Sequence, residues 1–248
     1  MKYFFRVTVE NKEELKQKGD EITEELKKIL QIYGLITGRH AEIPTDWSGT
    51  TINSDQPFGE PKIRLISSSI QIVNEEQKKH YTLLLNRTIE KFKFIETIFE
   101  DPRKSYLRNA IDYFHRALSG SRLEEQLIDL MISLESLFSR EYQELRLRYS
   151  LRTSFLLGVG QEGEKSNIFR TIYNLYDKRS KVVHGTEAVD LNIKEIWAFQ
   201  KYLKEAIKRF IHIEMPKEDL LKLLDGSVYD KEKMAQLNEV VLKAIEKW

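Results

Sequence analysis

The chain has 248 residues, enough for one or two domains of ordinary size. Its 40 Lys and Arg against 39 Asp and Glu leave a net charge of +1, which excludes a polybasic polyelectrolyte binder but leaves room for a local basic groove. With no cysteine, the chain has no means to disulfides, thiol catalysis, zinc ribbons or iron–sulfur clusters.

Residues 3–9 alternate Tyr3, Phe5, Val7 and Val9 with other side chains and read as a strand. Asn11 caps a helix expected over 12–33, with Leu15, Ile22, Leu26, Ile29, Leu30 and Tyr33 on its apolar face. Gly and Pro then punctuate the chain from Gly34 to Pro61, which reads as a long loop carrying Trp47. Residues 62–73 read as a second strand able to pair with the first. From about residue 75 the period is helical throughout. Tyr81, Leu84, Leu85, Thr88, Phe92, Ile95 and Phe99 form one stripe, stopped by Asp101-Pro102, where the next helix starts. Leu107, Ala110, Ile111, Phe114 and Leu118 follow, then a helix from Ser121 with Leu127, Leu130, Met131, Leu134, Leu137 and Phe138. A helix over 141–157 stops at Gly158-Val159-Gly160, and another runs from about 167 to Gly185 with Ile168, Ile172, Leu175 and Tyr176 inside. A helix over 191–213, a short one opened by Pro216 and a last one capped by Asp230 complete the chain.

The expected fold is mainly α. An antiparallel helical bundle spans 76–215, a small α/β appendage with its long loop spans 1–75, and a helical extension spans 216–248. The opening apolar run is too short for a secretory signal, and no stretch approaches the ~18 uninterrupted apolar residues that cross a bilayer. A cytoplasmic protein without a membrane partner is expected. No Walker loop, Gly-x-Gly-x-x-Gly, His-Glu-x-x-His or Gly-x-Ser-x-Gly is present, and the five histidines are scattered. No metal and no cofactor is expected, so any chemistry falls to Arg, His, Glu, Ser or Tyr.

The densest segment is Tyr173-Asn174-Leu175-Tyr176-Asp177-Lys178-Arg179-Ser180-Lys181-Val182-Val183-His184-Gly185. Arg179, four intervening residues and His184 resemble the Arg-x4–6-His motif of the HEPN superfamily of helical bundles. The phrase Leu134-Glu135-Ser136-Leu137-Phe138, the Arg-rich helix with Arg146, Arg148 and Arg152, and Arg-Ser-Lys-Val-Val-His-Gly resemble its Apea-like branch, over about residues 80–212. The resemblance implies a metal-independent endoribonuclease that cuts RNA as a homodimer, with an antitoxin or other partner in a prokaryotic defence or toxin system. It implies Arg179 and His184 as catalytic residues. His184 would move the proton of a ribose 2′-OH or of the leaving 5′-oxygen, and Arg179 would hold the scissile phosphate. Ser180, Lys178, Lys181, Glu135, Arg148 and Arg152 are the candidates for binding substrate or supporting the site.

Other roles stand beside these. His184 and the cations before it suit a helix C-terminus. Glu135, beside Met131, Leu134 and Phe138, needs a cationic partner, for which Arg148 or Arg152 is the natural candidate; the alternative is that it orients the catalytic Arg. Arg146, Arg148 and Arg152 line either an RNA groove or a solvated face. Five helical positions separate Arg179 from His184 by roughly 140°, so they converge only if the last turn unwinds or if two subunits share the site. A catalytically silent module binding RNA or a nucleotide, and a dimerisation scaffold, are the competing functions.

Overall fold

The computed structural model describes residues 21, 24–25, 27–35, 83, 91, 94–140, 143–185 and 189–247. The two expected strands, most of the 34–61 loop with Trp47, and Trp248 lie outside them. The chain divides into two compact units, Met1–Phe94 and Ile95–Trp248. In the first, residues 27–35 are helical and bury Leu30, Ile32 and Leu35, so this helix runs past the expected stop at Gly34.

The second unit is helical at nearly every described position. After the helical residues 95–100, Asp101 accepts a hydrogen bond from the Arg103 amide at 3.0 Å and starts one 3-10 turn, Pro102–Lys104. Seven helices follow: α1 (Ser105–Ser119), α2 (Leu123–Phe138), α3 (Leu145–Gly158), α4 (Lys165–His184), α5 (Ile193–His212), α6 (Lys217–Gly226) and α7 (Lys231–Glu246). Each start has a local cause where a cap is present. Asn192 and Glu195 form a reciprocal capping box at α5, and Asp230 takes the amides of Glu232 and Lys233 at α7.

α1 pairs with α2 and α3 with α4, while α5 lies against all four and against α7. Between them are buried Phe114, Leu130, Leu134, Ile172, Leu175 and Phe199, and the Phe138 and Phe210 rings meet edge to face at 5.2 Å. Polar ties hold the α1–α2 pair in register: Ser133 Oγ donates to the Ala110 carbonyl at 2.6 Å, and Arg116 lies 3.1 Å from Asp129. α7 turns Leu237, Val241 and Ala244 inward and leaves Leu242 and Ile245 exposed.

Two helix ends are capped from elsewhere in the fold. α2 carries no basic residue in its last turn, yet its terminal carbonyls are buried among neighbours. Ser139 N–H donates to the Glu135 carbonyl, Lys217 Nζ to that of Ser136 at 2.9 Å, and Arg152 Nη1 to that of Phe138 at 2.6 Å. Arg152 is only 1% exposed and also grips Asp225 of α6 in bidentate fashion, at 2.7 and 2.6 Å. α3 ends in the same way, with Arg209 of α5 donating to the Leu156 carbonyl. Burial lowers the pKa of both Lys217 and Arg209, and pushes the Tyr106 hydroxyl, under the Lys217 ammonium, up to about 12. Through Asp225, the segment beyond 215 belongs to the same unit as the bundle.

Arg152→Leu is expected to lower the unfolding free energy by about 3 kcal/mol, because Asp225 and the Phe138 carbonyl lose their donor, while Arg148→Leu costs less than ~1 kcal/mol. Urea denaturation of the two variants measures the difference, and equal losses would remove the special role of Arg152.

Candidate functional site

The candidate site is organised by α4. Ile168, Ile172 and Leu175 are buried at helical spacing, and Arg179 continues their row one turn later. Arg179 therefore faces the bundle, where its Nη2 lies 3.9 Å from Glu135 Oε1 of α2; the two side chains are 25% and 26% exposed. The Nε of Arg179 is buried without a hydrogen-bond partner. This contact is loose enough that burial outweighs the attraction of Arg179 and pushes the Glu135 carboxyl above its ordinary range. The rings of Tyr149 and Tyr176 sit 5.9 Å apart close by, their hydroxyls also raised by burial and by the Glu135 charge.

The partner of Glu135 is thus Arg179, not Arg148 or Arg152. Those two stand one turn apart on α3, on the side that faces α6. Arg152 is consumed by Asp225 and Phe138 and, at 1% exposure, cannot touch a substrate; its role is structural. Arg148 lies 3.9 Å from Asp225 and 3.8 Å from Glu144, and its Nε is buried without an acceptor. Lys178 also leaves the substrate-binding set. Its ammonium holds both Glu195 oxygens, at 2.8 and 2.7 Å, and the Asp190 carbonyl at 2.8 Å, fastening α4 to the start of α5. Burial pushes the Glu195 carboxyl up, but the bonds from Lys178 and the Asn192 amide bring it below its ordinary value.

α4 is regular through His184, and Gly185 follows in the left-handed region at φ 62°, its amide bonded to the Lys181 carbonyl at 2.9 Å. The last turn does not unwind. Arg179 and His184 consequently project roughly 140° apart, and one chain does not bring them to a common point. His184 is exposed. The side chains sharing its face include Tyr173 and Asp177, each within roughly 20° of its direction, and Ser180 and Arg170, each about 40° away.

A cation reaches that face from α3. Arg146 Nη1 lies 3.0 Å from Asp177 Oδ1, and its guanidinium sits 4.2 Å from the Tyr173 ring centre. Lys181 approaches the other Asp177 oxygen at 4.0 Å, and Tyr173 stacks on Phe169 at 5.6 Å. Motif reading passed over Tyr173 and Asp177, although the spacing 173, 177, 184 marks one helical face. Among the described residues, no group of three His, Asp or Glu gathers as metal ligands would, and no helix is long and apolar enough to cross a membrane. No family model matches the chain, nor does any curated protein or solved structure.

Because the folded pKa of Glu135 lies above its ordinary value of 4.5, the folded chain binds this proton more tightly than the unfolded one. The resulting stability is complete below the unfolded pKa and is lost as pH rises through the folded one. The stability of the wild type relative to Glu135→Gln should therefore fall between about pH 4 and about pH 7, as measured by urea unfolding at both. A difference that rises instead would mean that Arg179 dominates the carboxyl.

Proposed function

We propose that the chain is a metal-independent endoribonuclease of the HEPN type, cytoplasmic, homodimeric, and part of a prokaryotic defence or toxin system. The observation that carries this reading is the arrangement on α4: an exposed His184 at the helix end and an inward Arg179 whose Nε has no acceptor. The Arg–His phrase of the resemblance sits on one uninterrupted helix, so the reading requires two copies, with the Arg179 of one chain serving the His184 of the other.

The chemistry follows from the residue types. A neutral His184 imidazole accepts the proton of a ribose 2′-OH, whose oxygen forms a bond to the adjacent phosphorus. The bond from phosphorus to the 5′-oxygen breaks, that oxygen takes the proton back from the same His184 imidazolium, and a 2′,3′-cyclic phosphate remains. Arg179 stabilises the charge that gathers on the phosphate oxygens. Since the nucleophile belongs to the sugar, DNA is not cut. A module that binds RNA or a nucleotide without cutting it is the second reading, and the engagement of Arg179 by Glu135 favours it.

A labelled RNA incubated with EDTA should be cut by the wild type to 2′,3′-cyclic phosphate ends, and His184→Ala should abolish the cutting. Mixing Arg179→Ala with His184→Ala should restore about a quarter of wild-type activity, because half of the dimers are mixed and one of their two sites is whole. No cutting by the wild type would hand the site to the binding reading. Cutting without recovery on mixing would place both residues in one chain.

A further inference from the structure

We infer that the outer face of α4, with Arg146 of α3 laid across it, is the track along which single-stranded RNA approaches His184. This rests on the ribonuclease reading and names the substrate contacts of that same site. Tyr173, Asp177 and Ser180 share the direction of His184, and Asp177 lies roughly 10 Å before it along the helix axis. Two arginines border this face, Arg146 reaching over from α3 and the exposed Arg170 of α4, whereas Arg179 and Arg152 are turned into the bundle. Arg146 and Asp177 are 42% and 48% exposed, so their ion pair is wet and can be exchanged for a phosphate at small cost. By contrast, Arg152 is 1% exposed and fills two acceptors that an RNA would have to displace.

The face also offers a surface for bases. Tyr173 stacks on Phe169 with an angle of 22° between the rings, and both side chains are partly exposed. An aromatic step beside cations is the combination that binds single strands without reading sequence. When RNA arrives, the Arg146 guanidinium leaves Asp177 for a backbone phosphate and a base takes its place on Tyr173. Asp177 then acts as a competitor that keeps the track neutral until a polyanion displaces it, with Lys181 on its second oxygen.

The test is the binding of a fluorescent, single-stranded 2′-O-methylated RNA, which cannot be cut, read by anisotropy at several salt concentrations. Arg146→Gln should weaken binding and reduce the slope of log affinity against log salt by about 0.7. Tyr173→Ala should cost about tenfold. Asp177→Asn breaks the same ion pair but leaves the arginine, so it should tighten binding several-fold, a gain that unfolding cannot mimic. Binding by Arg146→Gln that equals the wild type in affinity and slope would overturn the track, as would a wild type that does not bind. If binding follows these expectations but the wild type never cuts ordinary RNA, the ribonuclease reading falls and the track stands. If the wild type cuts and Arg146→Gln binds and cuts equally well, the track falls and the ribonuclease stands.

Discussion

The carboxyl end of α2 has no basic residue in its last turn, and two of its carbonyls, those of Phe138 and Ser136, take their donors from other elements. Unpaired, each would cost the desolvation of a strong acceptor, about 1–3 kcal/mol. Arg152 answers this need and, with its remaining donors, binds Asp225. Two helices and the α6 segment are thereby referred to one guanidinium. Its fork geometry matters, because a lysine offers one point charge and cannot meet a carbonyl and a bidentate carboxylate in fixed directions. Arg209 on the Leu156 carbonyl repeats the device at the end of α3.

The same helix end sets the candidate site. Glu135 stands one turn before Phe138, so the side of α2 whose terminus is pinned to α3 presents its carboxylate to α4. Arg179 is the residue that α4 brings opposite. Because Arg152 is fully used, it cannot neutralise Glu135, and the weaker contact with Arg179 leaves that carboxyl raised. The electrostatics of the site are thus downstream of a capping arrangement. Lys178 acts similarly at the other edge, where its hold on Glu195 fixes how α4 meets α5.

Much of the fold was legible because it rests on local regularities. Helix stripes, the Asp101-Pro102 break, the Asp230 cap and the Gly185 stop are written in residues a few positions apart, and the helices from Ser105 onward occur where they predict. The ion pairs were not legible in the same way. Arg148 and Arg152 looked like equal candidates for Glu135, because sequence reports spacing along α3 but not which neighbour lies across from it. Asp225 is 73 residues from Arg152, and no periodicity links them. Lys178 failed as a binding residue for the same reason, since its partner Glu195 lies across a loop. The strip of Tyr173, Asp177 and His184 was present as a helical spacing, but a motif written as Arg-x4-His draws the eye to a residue on the other side of the helix.

The capping of α2 also bears on the order in which the chain acquires its structure. The donors for the Phe138 and Ser136 carbonyls lie 14 and 81 residues further on. During synthesis, α1 and α2 can pair through nearby contacts, which form fast. Their shared terminus then stays open to water until α3 and, much later, Lys217 have left the ribosome. The last turn of α2 is formed early but finished late, and the stretch carrying Glu135 takes its native surroundings only when most of the chain has been made.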